Sequence, residues 1–563
     1  MPAKRRKRSR SPIQHFLATI PPLIALAAAP LRAGLCVSDC NGDAAVAVNE
    51  LVTSVGIVLG ESPASRCLTT DADGDRRVTV DELVKAVQTA LGGGCAWDQV
   101  FIRDEQGRAL LLRGANVSNA AKSDPQRLPF VNRDDVLRIS RDFGFNLARY
   151  LVLWDGLEPQ PGEYSETYLD LIAERMEWFR EAGVYVVFDM HQDVYSRHFC
   201  CDGAPRWAIR DDGLPFEQQP FWFLNYFQPA VVRAFDNFWN YDGPHSDLQD
   251  HYAEAWRRIA ARFKDHPAVL GYDLMNEPFP GSAFSLSEVQ RNEEPNGTAA
   301  NFDRTLFRAF YERMIARIRE VDPDNWIFYE PRYGAPSIGM PSYIGKLDDP
   351  REGEDRIAGF PHLYSLQLEA GGGYDPATDP TIPEWARRRR AEAEANREPM
   401  LIGEFGLTDA ATNGNQHIED VLRMSEGVVS GWAIWSYDPD GGYGIVNPDR
   451  TEKERVGILV RTYAQRIAGQ PLYFDYDPTS RSFRLAFRET GVAAPTEIYV
   501  PAARHYPHGF EVFASDPDGR WTQSWDAARE VLSITTDPEQ PQHLIAIVAR
   551  APGETATRGA ASR

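Results

Sequence analysis

Between about residues 98 and 465, eight short apolar, β-rich runs are spaced by longer segments of helical periodicity, and this alternation restricts the fold more than any other feature. The runs are "ALLLRGANV", "FNLARYLVLW", "VYVVFDMHQD", "VLGYDLMNEP", "WIFYEP", "IAGFPHLY", "MLIGEFGL" and "GWAIWSYD". Parallel strands need crossovers long enough to hold a helix, and amphipathic segments such as "YLDLIAERMEWFREAG" and "LFRAFYERMIARIREVD" supply them. Eight such units over residues 98–467 predict an α/β fold of the (β/α)8 TIM barrel type. An open doubly wound sheet is disfavoured, since no glycine-rich nucleotide fingerprint follows a strand.

In a parallel barrel the carboxyl ends of the strands converge on one mouth, so polar residues at those ends are candidates for chemistry. Here they are Arg149 and Trp154 on the second run, His191 and Asp193 on the third, and Asn276 and Glu277 on the fourth. His362 and Tyr364 follow on the sixth, Glu404 on the seventh and Trp435 on the eighth. Pro278, with no N–H, stops the ladder just after Glu277. Glycoside hydrolysis requires two carboxyl groups facing each other, one to protonate the leaving oxygen and one to attack the anomeric carbon or activate water. A single Glu at a strand end is as readily structural. Asn-Glu-Pro on the fourth run together with Gly-Glu-Phe-Gly on the seventh points to Glu277 and Glu404 as that pair. The HxD pattern at His191 and Asp193 lacks the three or four spaced ligands of a catalytic metal site.

The remaining chain divides into flanking units. A formal charge of −21 argues against nucleic acid as a partner, because phosphate contacts need clustered Lys and Arg. The one basic run, "KRRKRSR", precedes "FLATIPPLIALAAAP", whose apolar stretch is broken by Pro21 and Pro22 and ends in small residues. Residues 1–33 therefore read as a secretory signal, cleaved between Ala29 and Gly34, and the mature protein as secreted, extracellular or periplasmic. In an oxidising compartment Cys36, Cys40, Cys67 and Cys95 are expected to form two disulfides of open connectivity, a zinc site being the weaker alternative.

Within residues 34–95 a repeat at an offset of 32 residues, "DCNGDAAVAVNELV" and "DADGDRRVTVDELV", spaces oxygen ligands as calcium-binding loops do. The candidate ligands are Asp39, Asn41, Asp43 and Glu50, then Asp71, Asp73, Asp75 and Glu82, giving a small EF-hand or dockerin-like helical module. Ala44 and Arg76 stand where such loops carry Gly, so a pair of merely acidic loops stays open. A dockerin-like pair suggests attachment to a cell-surface scaffold. From residue 469 to 550, "EIYVPA", "GFEVFAS", "VLSITT" and "HLIAIVAR" alternate with no helical pattern between them, which predicts a C-terminal antiparallel β-sandwich. Residues 551–563 read as a disordered tail.

The stretch "FWFLNYFQPAVVRAFDNFW", residues 221–239, holds eight aromatic residues in nineteen. Half are explained by a helix packing on the barrel, and the rest are free to form an apolar wall beside the site.

"DLMNEP", "PHLY" and "IGEFG" resemble the motifs of glycoside hydrolase family 5, retaining enzymes on a (β/α)8 barrel. "DMHQDVYSR", "GAPRWAI", "GYDLMNEPFPG" and "PTEIYVP" resemble its endoglycoceramidase branch, across roughly residues 98 to 550 and outside the calcium-loop module. The resemblance implies Glu277 as general acid/base and Glu404 as nucleophile, without a catalytic cofactor. It implies Asn276 on the sugar 2-hydroxyl and Arg149 and Tyr364 beside Glu404. His191, Asp193 and His362 would hold sugar hydroxyls, and Trp435 would floor the first sugar subsite. The implied substrate is a glycosphingolipid, cleaved between glycan and ceramide and met at a membrane or micelle surface. The alternatives are an exo-β-glucosidase on glucosylceramide or steryl glucoside, an endo-β-1,4-glucanase, and a catalytically silent glycolipid-binding protein.

Overall fold

The computed structural model describes residues 37–38, 40, 46–62, 66–67, 70, 78–91, 99–285, 295–334, 336–369, 371–439 and 442–551. The leader, most of the tail, Cys36, Cys95 and the loop positions Asp39, Asn41, Asp43, Asp71, Asp73 and Asp75 lie outside them. No described helix is long and apolar enough to cross a membrane.

The N-terminal segment shows two helices, α1 (Val48–Val58) and α2 (Val80–Leu91). Each begins with a glutamate turned back on its own start: Glu50 accepts from Ala47 N at 2.8 Å and Glu82 from Thr79 N at 2.6 Å. Glu50 also accepts from Cys40 N at 2.8 Å, and Cys40 is disulfide-bonded to Cys67.

The central unit comprises β1 (Leu112–Val117), α3 (Arg133–Arg141), β2 (Leu147–Leu153), α4 (Glu166–Ala182), β3 (Tyr185–His191), α5 (Pro229–Trp239), α6 (Asp247–Phe263) and β4 (Val269–Asp273). It continues with α7 (Arg308–Arg319), β5 (Trp326–Tyr329), β6 (Ile357–Gly359), α8 (Thr381–Asn396), β7 (Ile402–Phe405), α9 (Gly414–Val428) and β8 (Gly431–Ile434). The eight strands form one parallel sheet in the order β6-β5-β4-β3-β2-β1-β8-β7. Hydrogen bonds from Leu401 N to Gly359 O (2.9 Å), Gly403 N to Pro361 O (3.0 Å) and Leu363 N to Glu404 O (2.8 Å) join its two ends, so the sheet closes.

Local sequence explains these elements. Ser165 caps α4 by accepting from Tyr168 N, Gly183 ends it at a φ of +68°, and Leu169, Ile172, Met176 and Phe179 form its buried stripe. Each such side chain contributes about 1.5–3 kcal/mol by leaving water. At Gly114 a Cβ would lie 1.8 Å from the Leu147 carbonyl oxygen, so β1 and β2 approach as they do only with glycine there. The link from β5 to β6 is the exception to the alternation: among its described residues it holds only a short 3-10 turn, Pro336–Ile338, and no α-helix.

The C-terminal unit has two antiparallel sheets. One contains β9 (Tyr463–Ile467), β12 (Thr496–Tyr499), β14 (Thr522–Asp526) and β15 (Val531–Thr535); the other contains β10 (Gln470–Asp477), β11 (Ser482–Arg488), β13 (Phe510–Ala514) and β16 (Gln542–Ala549). The first apolar run of the sequence splits between the two units. Ala109–Leu110 pairs with β9 and extends the first of these sheets, whereas Leu112–Val117 enters the barrel. Tyr463 Oη and Gln465 Nε2 donate to Gly144 O, just ahead of β2, so this unit docks at the amino ends of the strands. The carboxyl-end mouth is left free.

Candidate active site

The site begins with a charge below the mouth. Arg149, from the middle of β2, is fully buried and spends its guanidinium on the strands around it. Nε donates to Asp273 (2.8 Å), Nη1 to Asn116 (2.9 Å) and Glu404 (2.6 Å), and Nη2 to Asn276 (3.0 Å) and Glu330 (2.7 Å), with Asp189 also 3.0 Å from Nη2. Four carboxylates around one cation exceed its charge. Burial, then the Glu330 charge, push the Asp273 carboxyl well above its usual range despite Arg149.

Above that cluster stand the two predicted carboxylates. Glu404 Oε1 takes the Arg149 bond and Oε2 accepts from Tyr364 Oη at 2.9 Å. Burial and the Glu404 charge raise the Tyr364 phenol well above its usual range, so it stays a donor. Glu277 stands at a φ of +38°, an uncommon conformation for a side chain of this size, and its N–H donates to Glu330 Oε2 at 2.9 Å. Its own Oε1 is 3.0 Å from His362 Nδ1, and the same nitrogen is 3.6 Å from Glu404 Oε2. The nearest oxygens of the pair can be no farther apart than these two legs laid end to end. Burial raises the Glu277 carboxyl above its usual range, against the pull of His362. Burial opposes a charge on His362 too, but Glu330 and Glu404 outweigh it and raise the imidazole well above its usual range. His362 is set among three carboxyl groups, with Glu330 Oε1 3.1 Å from Nε2.

A second cluster borders the first on the β3 side. His191 Nδ1 is 2.6 Å from Asp189, its Nε2 is 3.7 Å from Asp193, and its ring stacks on Trp435 at 5.5 Å and 15°. Burial lowers and the Asp189 charge raises this imidazole, for a net rise to about 9. Lys122 Nζ donates to Asp193 Oδ2 at 2.5 Å and sits 4.4 Å from the Trp435 ring centroid. That cation and His191 override the burial of Asp193 and hold its carboxyl below the usual range. Asp202, buried beside them and next to the Cys200–Cys201 disulfide, is pushed up to about 7 by burial and by Asp193.

The sequence candidates therefore meet, with some changed relations. Glu277, Glu404, Asn276, His362, Tyr364 and Arg149 form one network, and His191, Asp193 and Trp435 form the adjoining one. Arg149 is buried and bonded to Glu404, where the resemblance puts it, whereas His362, expected on a sugar hydroxyl, is buried and bonded to Glu277. Trp154 points elsewhere: it is buried, with Nε1 donating to Glu158. Asn116, Lys122, Asp189, Asp202, Asp273 and Glu330 are members that the strand-end rule did not single out. Glu330-Pro331 repeats the Glu277-Pro278 signal on the next strand, and Asp189 and Asp273 are charges within apolar runs. Two described clusters have the makings of metal ligands, His191/Asp193/Asp202 and Asp189/Asp273/Glu330. In both, a protein cation already stands against the carboxylates, Lys122 in the first and Arg149 in the second.

The aromatic stretch divides. Tyr226, Phe235, Phe238 and Trp239 are buried, whereas Phe221, Trp222 and Phe227 are 41–45% exposed. Phe227 packs edge-on against Phe279, two residues beyond Glu277, at 5.9 Å.

Comparison with known proteins supports the same reading. Residues 104–441 match the model of the cellulase family, glycosyl hydrolase family 5, and residues 461–548 match the glycoside hydrolase family 5 C-terminal domain. Endoglycoceramidase I of Rhodococcus hoagii is 29% identical over 79% of this chain and 86% of its own length, and an endoglycoceramidase of Hydra vulgaris is 27% identical over 75% and 83%. A solved endo-glycoceramidase II from Rhodococcus sp., in a ganglioside GM3 complex, is 36% identical and superposes with a TM-score of 0.73 over 80% of this chain and 100% of its own. With the family model covering the barrel and its two carboxylates, the chain belongs to glycoside hydrolase family 5.

Proposed function

We propose that the protein is a retaining endo-β-glycosidase that cleaves the bond between oligosaccharide and ceramide in glycosphingolipids. The observation that carries the chemistry is the single His362 nitrogen within 3.0 Å of Glu277 and 3.6 Å of Glu404. Retaining enzymes hold their carboxyl groups about 5–5.5 Å apart and inverting ones about 6.5–9.5 Å, and the two legs leave only the near edge of the wider range. The relatives and the GM3-bound structure support the lipid glycoside as substrate.

Glu404, oriented by Arg149 and Tyr364, attacks the anomeric carbon while Glu277 gives its proton to the ceramide oxygen. A water then enters, Glu277 takes its proton, and the oxygen displaces Glu404 from the sugar. The Asn276 amide has two N–H bonds and donates one to Gln192 O, so the other can meet the sugar 2-hydroxyl as positive charge builds at the ring. Lys122, Asp193 and His191 offer donors and an acceptor to neighbouring hydroxyls, beside Trp435. The exposed Phe221, Trp222 and Phe227 lie on the Glu277 side, where the ceramide chains leave. Incubation with a ganglioside and with glucosylceramide, followed by mass spectrometry, tests this: the intact glycan and free ceramide are expected from the ganglioside. Glucose from glucosylceramide alone would assign an exo-glucosidase, and no released sugar from either would leave a binding protein.

Two further readings rest on the N-terminal region. Export is supported by the leader pattern and by the paired cysteines Cys40–Cys67 and Cys200–Cys201, and detection of the processed protein outside the cytoplasm tests it. Calcium binding is supported by the ligand spacing of the repeated loops, with Glu50 turned back toward the backbone of Cys40 in its own loop. Calorimetric titration with Ca²⁺, before and after Glu50→Gln and Glu82→Gln, tests that, and a scaffold partner depends on it.

A further inference from the structure

His191 and Asp193 join the cluster beside Trp435, and the residue between them turns the other way. Gln192 follows β3, is 7% exposed, and aims its amide at the chain just beyond β4. Nε2 donates to Asn276 O at 2.9 Å and to Glu277 O at 3.0 Å, while Oε1 accepts from Tyr195 N at 2.9 Å. Two acceptors stand on one side of the amide and a donor on the other, so only this orientation satisfies both ends.

One nitrogen can take two successive carbonyls only where the backbone between them bends, since in an extended strand neighbouring peptide groups face opposite sides. Here the bend is Glu277 itself, at a φ of +38°. Such a conformation persists only where its surroundings over-determine it. Glu277 is held at both backbone groups: Glu330 Oε2 takes its N–H at 2.9 Å and Gln192 takes its carbonyl. Tyr333 N then donates to Pro278 O at 2.8 Å, fixing the next peptide. Gly203 packs so closely on Gln192 that a Cβ there would lie 2.6 Å from the Gln192 Cβ, so the base of the side chain is fixed too.

We propose that Gln192 is a positioning residue for the general acid. By holding the Asn276 and Glu277 carbonyls together, it sets the turn from which the Glu277 carboxyl reaches the leaving oxygen. The role rests on Glu277 being that acid. Gln192 bonds to backbone groups and acts through them. Asn276 keeps its place without the Gln192 side chain, because Arg149 Nη2 holds its Oδ1 and the Gln192 backbone carbonyl holds its Nδ2. Loss of the side chain therefore falls on the acid and not on the contact to the sugar 2-hydroxyl.

Two variants of the full chain test this. Gln192→Met keeps the length and removes the donors, and Gln192→Glu keeps the acceptor for Tyr195 N but sets an oxygen against the two carbonyls. The value of kcat/KM is measured for a ganglioside and for an activated aryl lactoside, with Glu277→Gln alongside and Tm as the control for folding. Misplacement of a reacting group by about 1 Å can cost on the order of 10²-fold, and a loss of that order is expected on the ganglioside in both variants. The aryl lactoside, whose leaving group needs no proton, should lose less than about threefold. A purely structural residue would lower both substrates together. Equal losses on both substrates in the Gln192 variants, with Glu277→Gln still uneven, overturn the positioning role alone; equal losses in Glu277→Gln as well overturn the acid assignment beneath it. Should one Gln192 variant fail to fold, the other decides, and unfolding of both would make Gln192 a residue of the fold and overturn the proposal.

Discussion

Glu404 and Glu277 are the same side chain on strands of one barrel, and their surroundings differ in kind. Glu404 rises from the buried Arg149 cluster, receiving a guanidinium on one oxygen and a phenol hydroxyl on the other. Among the described residues Glu277 receives no guanidinium: its backbone is held by Glu330, its side chain meets the shared His362, and burial raises its carboxyl. The first setting suits the nucleophile of the proposed mechanism and the second its general acid. Residue type thus fixes neither role; the strand ends around each carboxylate do.

The largest test of that contrast is Glu404→Gln, which removes the attacking oxygen while keeping size. Turnover should fall below detection for a ganglioside and for an activated aryl glycoside alike, as read by product mass spectrometry. Glu277→Gln should be uneven. Loss of a general acid costs on the order of 10²–10⁴-fold on the glycolipid, but far less on an aryl glycoside whose leaving group needs no proton. Equal losses on both substrates in both variants would erase the distinction.

A pH profile sharpens it further. With Glu277 as the proposed general acid, activity needs its proton, and a raised carboxyl should carry the alkaline limb above the ordinary carboxylate range. The same shift has a sign for stability: the folded state holds this proton more tightly than the unfolded chain. Its contribution is full below the ordinary glutamate value of 4.5 and is lost as pH rises from there through the folded value. His362→Gln takes a cation away from Glu277 and should move the alkaline limb upward by about one unit, with kcat reduced. A limb that stays in place would mean His362 does not set the proton affinity of the acid.

Much of this was legible in the chain. Apolar runs ending in polar residues marked all eight strands, because period and punctuation are local properties. What each run pairs with is not local: nothing in "ALLLRGANV" says that Ala109–Leu110 joins the C-terminal sheet while Leu112–Val117 enters the barrel. The positions of Glu277 and Glu404 were readable for the same reason, whereas the Arg149 cluster was not. Asp189 and Asp273 look like faults in apolar strands until the cation from β2 lies between them. Glu330 was missed although its Glu-Pro punctuation matches that of Glu277. That the described residues between β5 and β6 hold a 3-10 turn and no α-helix lies beyond any local pattern.

The smallest expected effect concerns which side of the mouth the lipid uses. If Glu277 protonates the ceramide oxygen, apolar surface belongs near Glu277 and not near Glu404. Phe279 follows Glu277 by two residues and packs against Phe227 and Tyr226, at the base of the exposed Phe221 and Trp222. Truncating both to Ala should raise KM for a ganglioside about tenfold, less than full burial of one aromatic side chain is worth. It should leave Tm and the hydrolysis of a short aryl lactoside unchanged, because neither ring is part of the core. Phe235→Ala, from the buried half of the same segment, should instead cost about 3–5 kcal/mol of stability. A KM rise shared by both substrates would move these rings from the lipid to the sugar, and with them the side of the mouth on which the leaving group departs.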